Sequence, residues 1–302
     1  MGGHAFHDLH TPRIPPALYL AAREKTTAIL RLLFARVVVP TELPEKPDYG
    51  DIDYLVCEPL PILTSSAPSS AAFPWAAAVR TLKEVLDTPH GNRGFHNPDV
   101  IFLAMRPPVL DPTCCSSAAP APDFWIQVDV KVCEDPERFE WQRLQLNYAS
   151  GAKMLSSMGK PLGLTMNPEG LWVRVEDMEG GNWAGSMVWL SKETGDALKV
   201  FRLDGRWMAE GGFKGKEEIY TYLTNSWLFN PAHFGARLRD EKFVEHIADR
   251  SAPWVSFIKT WIPEHYPKSQ DHEKDWYKTT RSAVREKVFT MFPPVASTYY
   301  EK

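Results

Sequence analysis

The stretch "KPDYGDIDYLV", Lys46 to Val56, decides how the fold is read. Two aspartates, Asp51 and Asp53, stand one residue apart, behind Gly50 and at the head of a β-type apolar run. On a strand, residues two apart project to the same side, so both carboxylates face one surface with backbones roughly 7 Å apart. Carboxylates held that close repel unless something positive lies between them. A hard divalent cation meets that need, because Mg²⁺ takes oxygen ligands and is usually bound by one or two carboxylates plus phosphate oxygens. Taken alone, a D-x-D is better read as a solvated strand start whose aspartates shape the turn after Gly50.

A second strand changes that balance. Asp129 sits in "IQVDVKV", amid Val128, Val130 and Val132. If Ile126, Val128, Val130 and Val132 face a core, then Gln127, Asp129 and Lys131 share the other face. Three carboxylates on adjacent strands, all on one side, can bridge two metal ions about 4 Å apart, which serves in-line displacement at phosphorus.

Composition narrows the classes. The 302 residues suit two lobes. A hydrophobic content of 44% with 12% aromatic residues is ordinary for a globular chain. Lys plus Arg number 34 against 38 acidic residues, a net charge of -4, which is not the balance of a protein that coats nucleic acid by charge alone. "MGGHAFHDLH" lacks the basic start and apolar core of a signal peptide. "AILRLLFARVVVP" is too short to span a bilayer and is interrupted by Arg31 and Arg36. Cys57, Cys114, Cys115 and Cys133 include no C-x-x-C pair, so they are expected as free thiols in a reducing, intracellular compartment, cytoplasmic or nuclear.

Along the chain, residues 16 to 35 predict an amphipathic helix with Leu18, Ala22, Ile29, Leu33 and Phe34 on its apolar face. Strands are expected at "RVVVP", "DIDYLVCEPL", "DVIFLAMR" and "FWIQVDVKVC", and a helix at "PWAAAVRTLKEVLD". Two Ser/Ala/Pro-biased loops, near 64–72 and 106–123, interrupt them. Trp141, Leu144, Tyr148, Ala152 and Leu155 mark one face of a further helix. "PLGLTMNPEGLWVRV" predicts a hairpin turned at "NPEG". The remainder reads as mostly helical, with Trp254, Phe257, Ile258 and Trp261 as core. The fold class expected is therefore α/β (α+β). A small mixed sheet with flanking helices would occupy 1–160, and a helical lobe containing a hairpin 161–302.

At this point the sequence resembles the nucleotidyltransferase superfamily typified by DNA polymerase beta, whose signature is a strand bearing D-x-D and a third Asp on a neighbouring strand. The closer resemblance is to an uncharacterised group of fungal nucleotidyltransferase-like proteins. It rests on "MGGHAF", "EKPDYGDIDYLV", "IQVDV", "NYASGAKMLSSMGKPLGLTMNPEGLWVRV", "SMVWLSKETGDALKVFRLDG" and "FKGKEEIYTYLTNSWLF". The resemblance implies a small-sheet catalytic palm. It also implies Mg²⁺ (two ions, or Mn²⁺) on Asp51, Asp53 and Asp129, with a nucleoside triphosphate as substrate. Gly2, Gly3, Lys46, Gly50 and Arg174 would contact that nucleotide. The acceptor, whether an RNA end, a protein side chain or a small molecule, is not implied, and no membrane partner is. One departure stands out: the superfamily's Gly-Ser turn is replaced by "TELPEKPDY", and Gly3 lies 48 residues before Asp51.

Two other readings compete. Pro98-Asp99 followed by Asp129-x-Lys131 resembles the P-D…D-x-K pattern of a nuclease superfamily, though that leaves Asp51 and Asp53 unexplained. A degenerate module that binds nucleotide or partner without turnover is the third; the missing Gly-Ser turn favours it and the three carboxylates oppose it. His4, His7 and His10, at every third residue, match no zinc pattern and read as solvated tail histidines.

Overall fold

Strand β2 (Ile52–Pro59) lies parallel to β5 (Ile126–Cys133), and the whole first unit is arranged around that pair. The computed structural model describes residues 5–64, 73–109, 123–237, 252–267 and 279–302. A parallel pair needs a long crossover. Here it contains the helix Trp75–Val85 and the strands β3 (His90–Arg93) and β4 (Val100–Met105). With β1 (Phe34–Val38), the sheet has the order β1-β2-β5-β4-β3, antiparallel everywhere except between β2 and β5.

One face of this sheet is apolar by period-two alternation. Ile52, Tyr54 and Val56 on β2, and Ile126, Val128, Val130 and Val132 on β5, are all buried. They pack in one cluster with Leu18, Tyr19, Ala22 and Leu30 of α1 (Pro16–Leu30) and with Ala78 and Leu82 of Trp75–Val85. The opposite face carries Asp53, Asp129 and Lys131, as the alternation predicts. Helix α1 ends at Leu30 rather than near 35, because Phe34 has left it to pair with Pro59 at the start of β1. Strand β3 is absent from the sequence reading: "HGNR" has no apolar alternation, and Gly91 fits because an added Cβ would lie 2.8 Å from Leu103.

The second unit comprises Thr41–Glu45 and Glu140–Lys302, and the first Met1–Pro40 and Lys46–Phe139. The division thus falls at 139/140 rather than 160. Trp141, Leu144, Tyr148, Met154 and Leu155 were expected on the flank of the first sheet but are buried in the second core, with Phe201, Trp207 and Trp254. The expected hairpin is present as β6 (Leu164–Asn167) and β7 (Gly170–Arg174), and β8 (Met187–Ser191) extends it to three antiparallel strands. The Asn167 side-chain oxygen closes the turn by accepting from the backbone N–H groups of Glu169 and Gly170 at 2.9 and 3.1 Å. Trp254, Phe257, Ile258 and Trp261 are buried as expected, with residues 257–261 wound as a π-helix.

The helix carrying Trp141 and Tyr148 does not run through. Within Phe139–Ser150, Asn147 is extended (φ -52°, ψ 144°), and Tyr148, Ala149 and Ser150 are left-handed (φ 56°, 54° and 58°) before Ala152–Gly159 resumes. Left-handed backbone costs a non-glycine residue about 1–2 kcal/mol. The break is held by Asn147, whose side chain accepts from Thr41 N at 2.9 Å and donates to Trp207 O at 3.0 Å. Trp254 Nε1 donates to Tyr148 O at 2.9 Å. Among the described residues, no helix is long and apolar enough to cross a membrane.

Candidate functional site

The parallel pairing fixes which residues meet. Asp53 is the register partner of Asp129, with Ile52 opposite Val128 and Tyr54 opposite Val130. Parallel strands in this register set the two carboxylates side by side on the polar face. Asp51 immediately precedes β2, and its charge acts on Asp129. The carboxyl of Asp129 is pushed up to about 7, first by burial and then by Asp51, while a hydrogen bond from Gln127 pulls the other way. Gln127 Nε2 donates to Asp129 Oδ1 at 2.8 Å, and Gln127 Oε1 accepts from Ala5 N at 2.9 Å.

The loop entering β2 is anchored to the first unit. Tyr49 exchanges backbone hydrogen bonds with Ile14 (2.7 and 3.0 Å) and stacks on Tyr19 at 3.7 Å between ring centroids. Lys46 places its Nζ 4.6 Å from the centre of the Tyr49 ring, and Gly50 is buried. Arg13 pairs with Asp48 at 2.7 Å. These contacts set where Asp51 leaves the loop and Asp53 enters the sheet.

Other predicted residues fall elsewhere. Arg174, expected to contact the nucleotide, is 2% exposed, and its guanidinium donates to Glu179 Oε1 (2.9 Å), Thr165 Oγ1 (2.7 Å), Lys160 O (2.6 Å) and Leu164 O. Glu179 also binds Arg281, so Arg174 belongs to a partly buried ion network of its own unit. Lys131 pairs with Asp99, whose backbone oxygen accepts from Val132 N at 2.8 Å. The nuclease pattern therefore has its lysine bound to one of its own carboxylates. Gly2, Gly3, His4, Cys114 and Cys115 lie outside the described residues, as do most of the loops expected near 64–72 and 106–123. His7 and His10 are exposed. Cys57 and Cys133, register partners four residues beyond the aspartates, are buried free thiols, and burial pushes Cys133 up to about 12. A surface groove of about 530 Å³ along Trp75–Val85, lined by Arg80, Lys83, Glu84 and Asp87, contains none of the predicted site residues.

The donor set of Asp51, Asp53 and Asp129 is hard oxygen throughout, and a buried carboxyl facing a second negative charge is the environment a Mg²⁺ ion relieves. In donor chemistry, three carboxylates, the residues suit such an ion. Among the described residues, no three or more His, Cys, Asp or Glu side chains are grouped closely enough to hold a metal ion as they stand. Gln127, placed on this face by the sequence, has no expected role there. It lies two positions before Asp129 and so on the same face, but it is buried at 3% exposure.

No protein-family model matches the sequence, and no curated protein matches it. Among solved structures, the chain is similar to the polymerase beta of Leishmania infantum in a ternary P/T complex. The TM-score is 0.39 and the identity 16%, over 63% of this chain and 73% of that one.

Proposed function

We propose that this protein is a divalent-metal-dependent nucleotidyltransferase, transferring a nucleoside monophosphate from a nucleoside triphosphate to a hydroxyl acceptor with release of pyrophosphate. The observation that carries the reading is the register of Asp53 with Asp129 on adjacent parallel strands, with Asp51 acting on the same carboxyl. The resemblance of the motifs around these residues to fungal nucleotidyltransferase-like proteins belongs to the same reading.

Asp51 and Asp53 would hold the ions, and Asp129 would share one of them. When bound, such ions neutralise the triphosphate and lower the cost of deprotonating the acceptor hydroxyl. Asp129, beside the ion it would share, would take up the acceptor's proton. Lys46 and Gly50, one turn of chain ahead of Asp51, would stand on the nucleotide side of the loop. The Asp99–Lys131 pair is a reason to prefer transfer to phosphodiester cleavage, since a nuclease would need Lys131 to hold water.

The test offers each α-³²P-labelled nucleoside triphosphate with Mg²⁺ or Mn²⁺, and as acceptors total RNA, the protein itself and small hydroxylated molecules. Label should move to one acceptor class and fall at least about 100-fold in Asp51→Asn/Asp53→Asn and in Asp129→Asn. RNA degradation without triphosphate would replace the reading by the nuclease. Transfer that survives in Asp129→Asn would remove that residue from the chemistry.

A further inference from the structure

A buried amide with two hydrogen bonds of fixed polarity connects the start of the described chain to the carboxylate site. Gln127 accepts from the backbone N–H of Ala5 through Oε1 at 2.9 Å, and donates from Nε2 to Asp129 Oδ1 at 2.8 Å. A backbone N–H can only donate and an ionised carboxylate can only accept. Turning the amide over would set N–H against the Ala5 N–H, and oxygen against the Asp129 carboxylate once it is ionised, so the Ala5 end dictates its orientation in either state. At 3% exposure, Gln127 has little water to replace either partner.

The Ala5 end is itself anchored. His10 O accepts from Trp125 N at 2.9 Å, and Phe6 meets His90 edge-to-face at 6.4 Å, with His90 against Trp125 at 4.5 Å. Residues 5–10 are thus tied to the strand at Gln127 and to the residue just before it. The Ala5–Gln127 contact spans 122 residues of sequence, and it fixes the side chain that orients Asp129.

We propose that Gln127 is a positioning residue for Asp129, and that the strap Ala5–His10 holds it in place, so that the strap tunes metal affinity without supplying a ligand. This rests on the metal-dependent reading of the site. Groups that orient metal ligands in this way typically change affinity 10–100-fold when removed.

Two substitutions separate the parts. Gln127→Met keeps length and removes both hydrogen bonds; Ala5→Pro removes only the N–H, far in sequence from any ligand. Mn²⁺ affinity would be measured on the full chain by electron paramagnetic resonance, and exchange of the Ala5 amide hydrogen by NMR. Gln127→Met is expected to weaken Mn²⁺ binding about 10-fold or more and to speed Ala5 exchange at least about tenfold. Ala5→Pro is expected to weaken Mn²⁺ binding several-fold, and the double variant no further than Gln127→Met alone, because one relay can be broken only once. In an active protein, Gln127→Met lowers kcat with KM for the triphosphate nearly unchanged.

Unchanged Mn²⁺ affinity in a folded Gln127→Met protein would overturn the proposal, as would additive effects of the two substitutions. If the wild type binds Mn²⁺ through the three aspartates but transfers no nucleotide, the functional reading fails while the relay is still decided by these affinities. A wild type that binds no divalent ion overturns both.

Discussion

Asp129 is disfavoured as an anion twice, by burial and by Asp51, and that has a pH consequence. Its carboxyl titrates near 7 in the folded chain against 3.8 for a free side chain. Between those values the unfolded chain has lost the proton and the folded chain keeps it, so stability falls as pH rises through that window. Above pH 7 the deficit is complete, roughly 2 kcal/mol after allowing for solvent screening. Metal-free Asp129→Asn should therefore melt several degrees higher than wild type at pH 8 and equally at pH 4, and Mg²⁺ should close the gap by stabilising only the wild type. Equal melting at pH 8 would show that the charge is not strained. The aspartates themselves were legible in the sequence, because alternation alone places Asp53 and Asp129 opposite the core. Gln127 was not: a polar residue at an outward position reads as solvated, and its burial comes from a strap 122 residues away.

At the scale of elements, period two and turn chemistry predicted four strands of the first sheet and the β6–β7 hairpin. The strands of Asp53 and Asp129 were expected side by side, but not their parallel direction or register, which depend on a distant crossover. The break at 147–150 was hidden for a similar reason. Trp141, Leu144, Tyr148, Ala152 and Leu155 keep helical spacing across a segment that tertiary bonds from Thr41, Trp207 and Trp254 pull out of the helix. Ala149 is exposed there at φ 54°. Ala149→Gly should raise stability by about 1 kcal/mol, read by urea unfolding, because glycine occupies this region without a Cβ clash. A loss of stability would mean the backbone is not left-handed at that residue. Arg174 reads in the sequence either as reaching a nucleotide or as one half of a local ion pair, and its partners Glu179 and Arg281 are not visible there as partners. Arg174→Met should cost roughly 3–5 kcal/mol and leave KM for any triphosphate unchanged. A raised KM without loss of stability would restore Arg174 to the binding site.

The described residues hold two separate apolar clusters, one on the five-stranded sheet and one among the helices and small sheet of the second unit. Cores that share no side chain open separately. Leu103→Ala should accelerate hydrogen exchange in peptides of β2, β4 and β5 while leaving those of 194–224 unchanged, and Phe201→Ala should do the reverse. Acceleration of both sets by either substitution would show one cooperative body. The sequence reading separated two lobes from length and composition, but put the cut at 160 because the Trp141–Leu155 stripe names no particular core to pack against. It also could not assign Thr41–Glu45 to the second unit. Leu43, 4% exposed, is buried in that second core, among side chains that begin at Trp141. On the ribosome, Leu43 is therefore made about a hundred residues before anything it will pack against. The nascent chain must carry an apolar residue uncovered, just ahead of the strand that bears Asp53, until those later residues leave the exit tunnel. A gene fragment that stops at residue 139 would leave it uncovered for good.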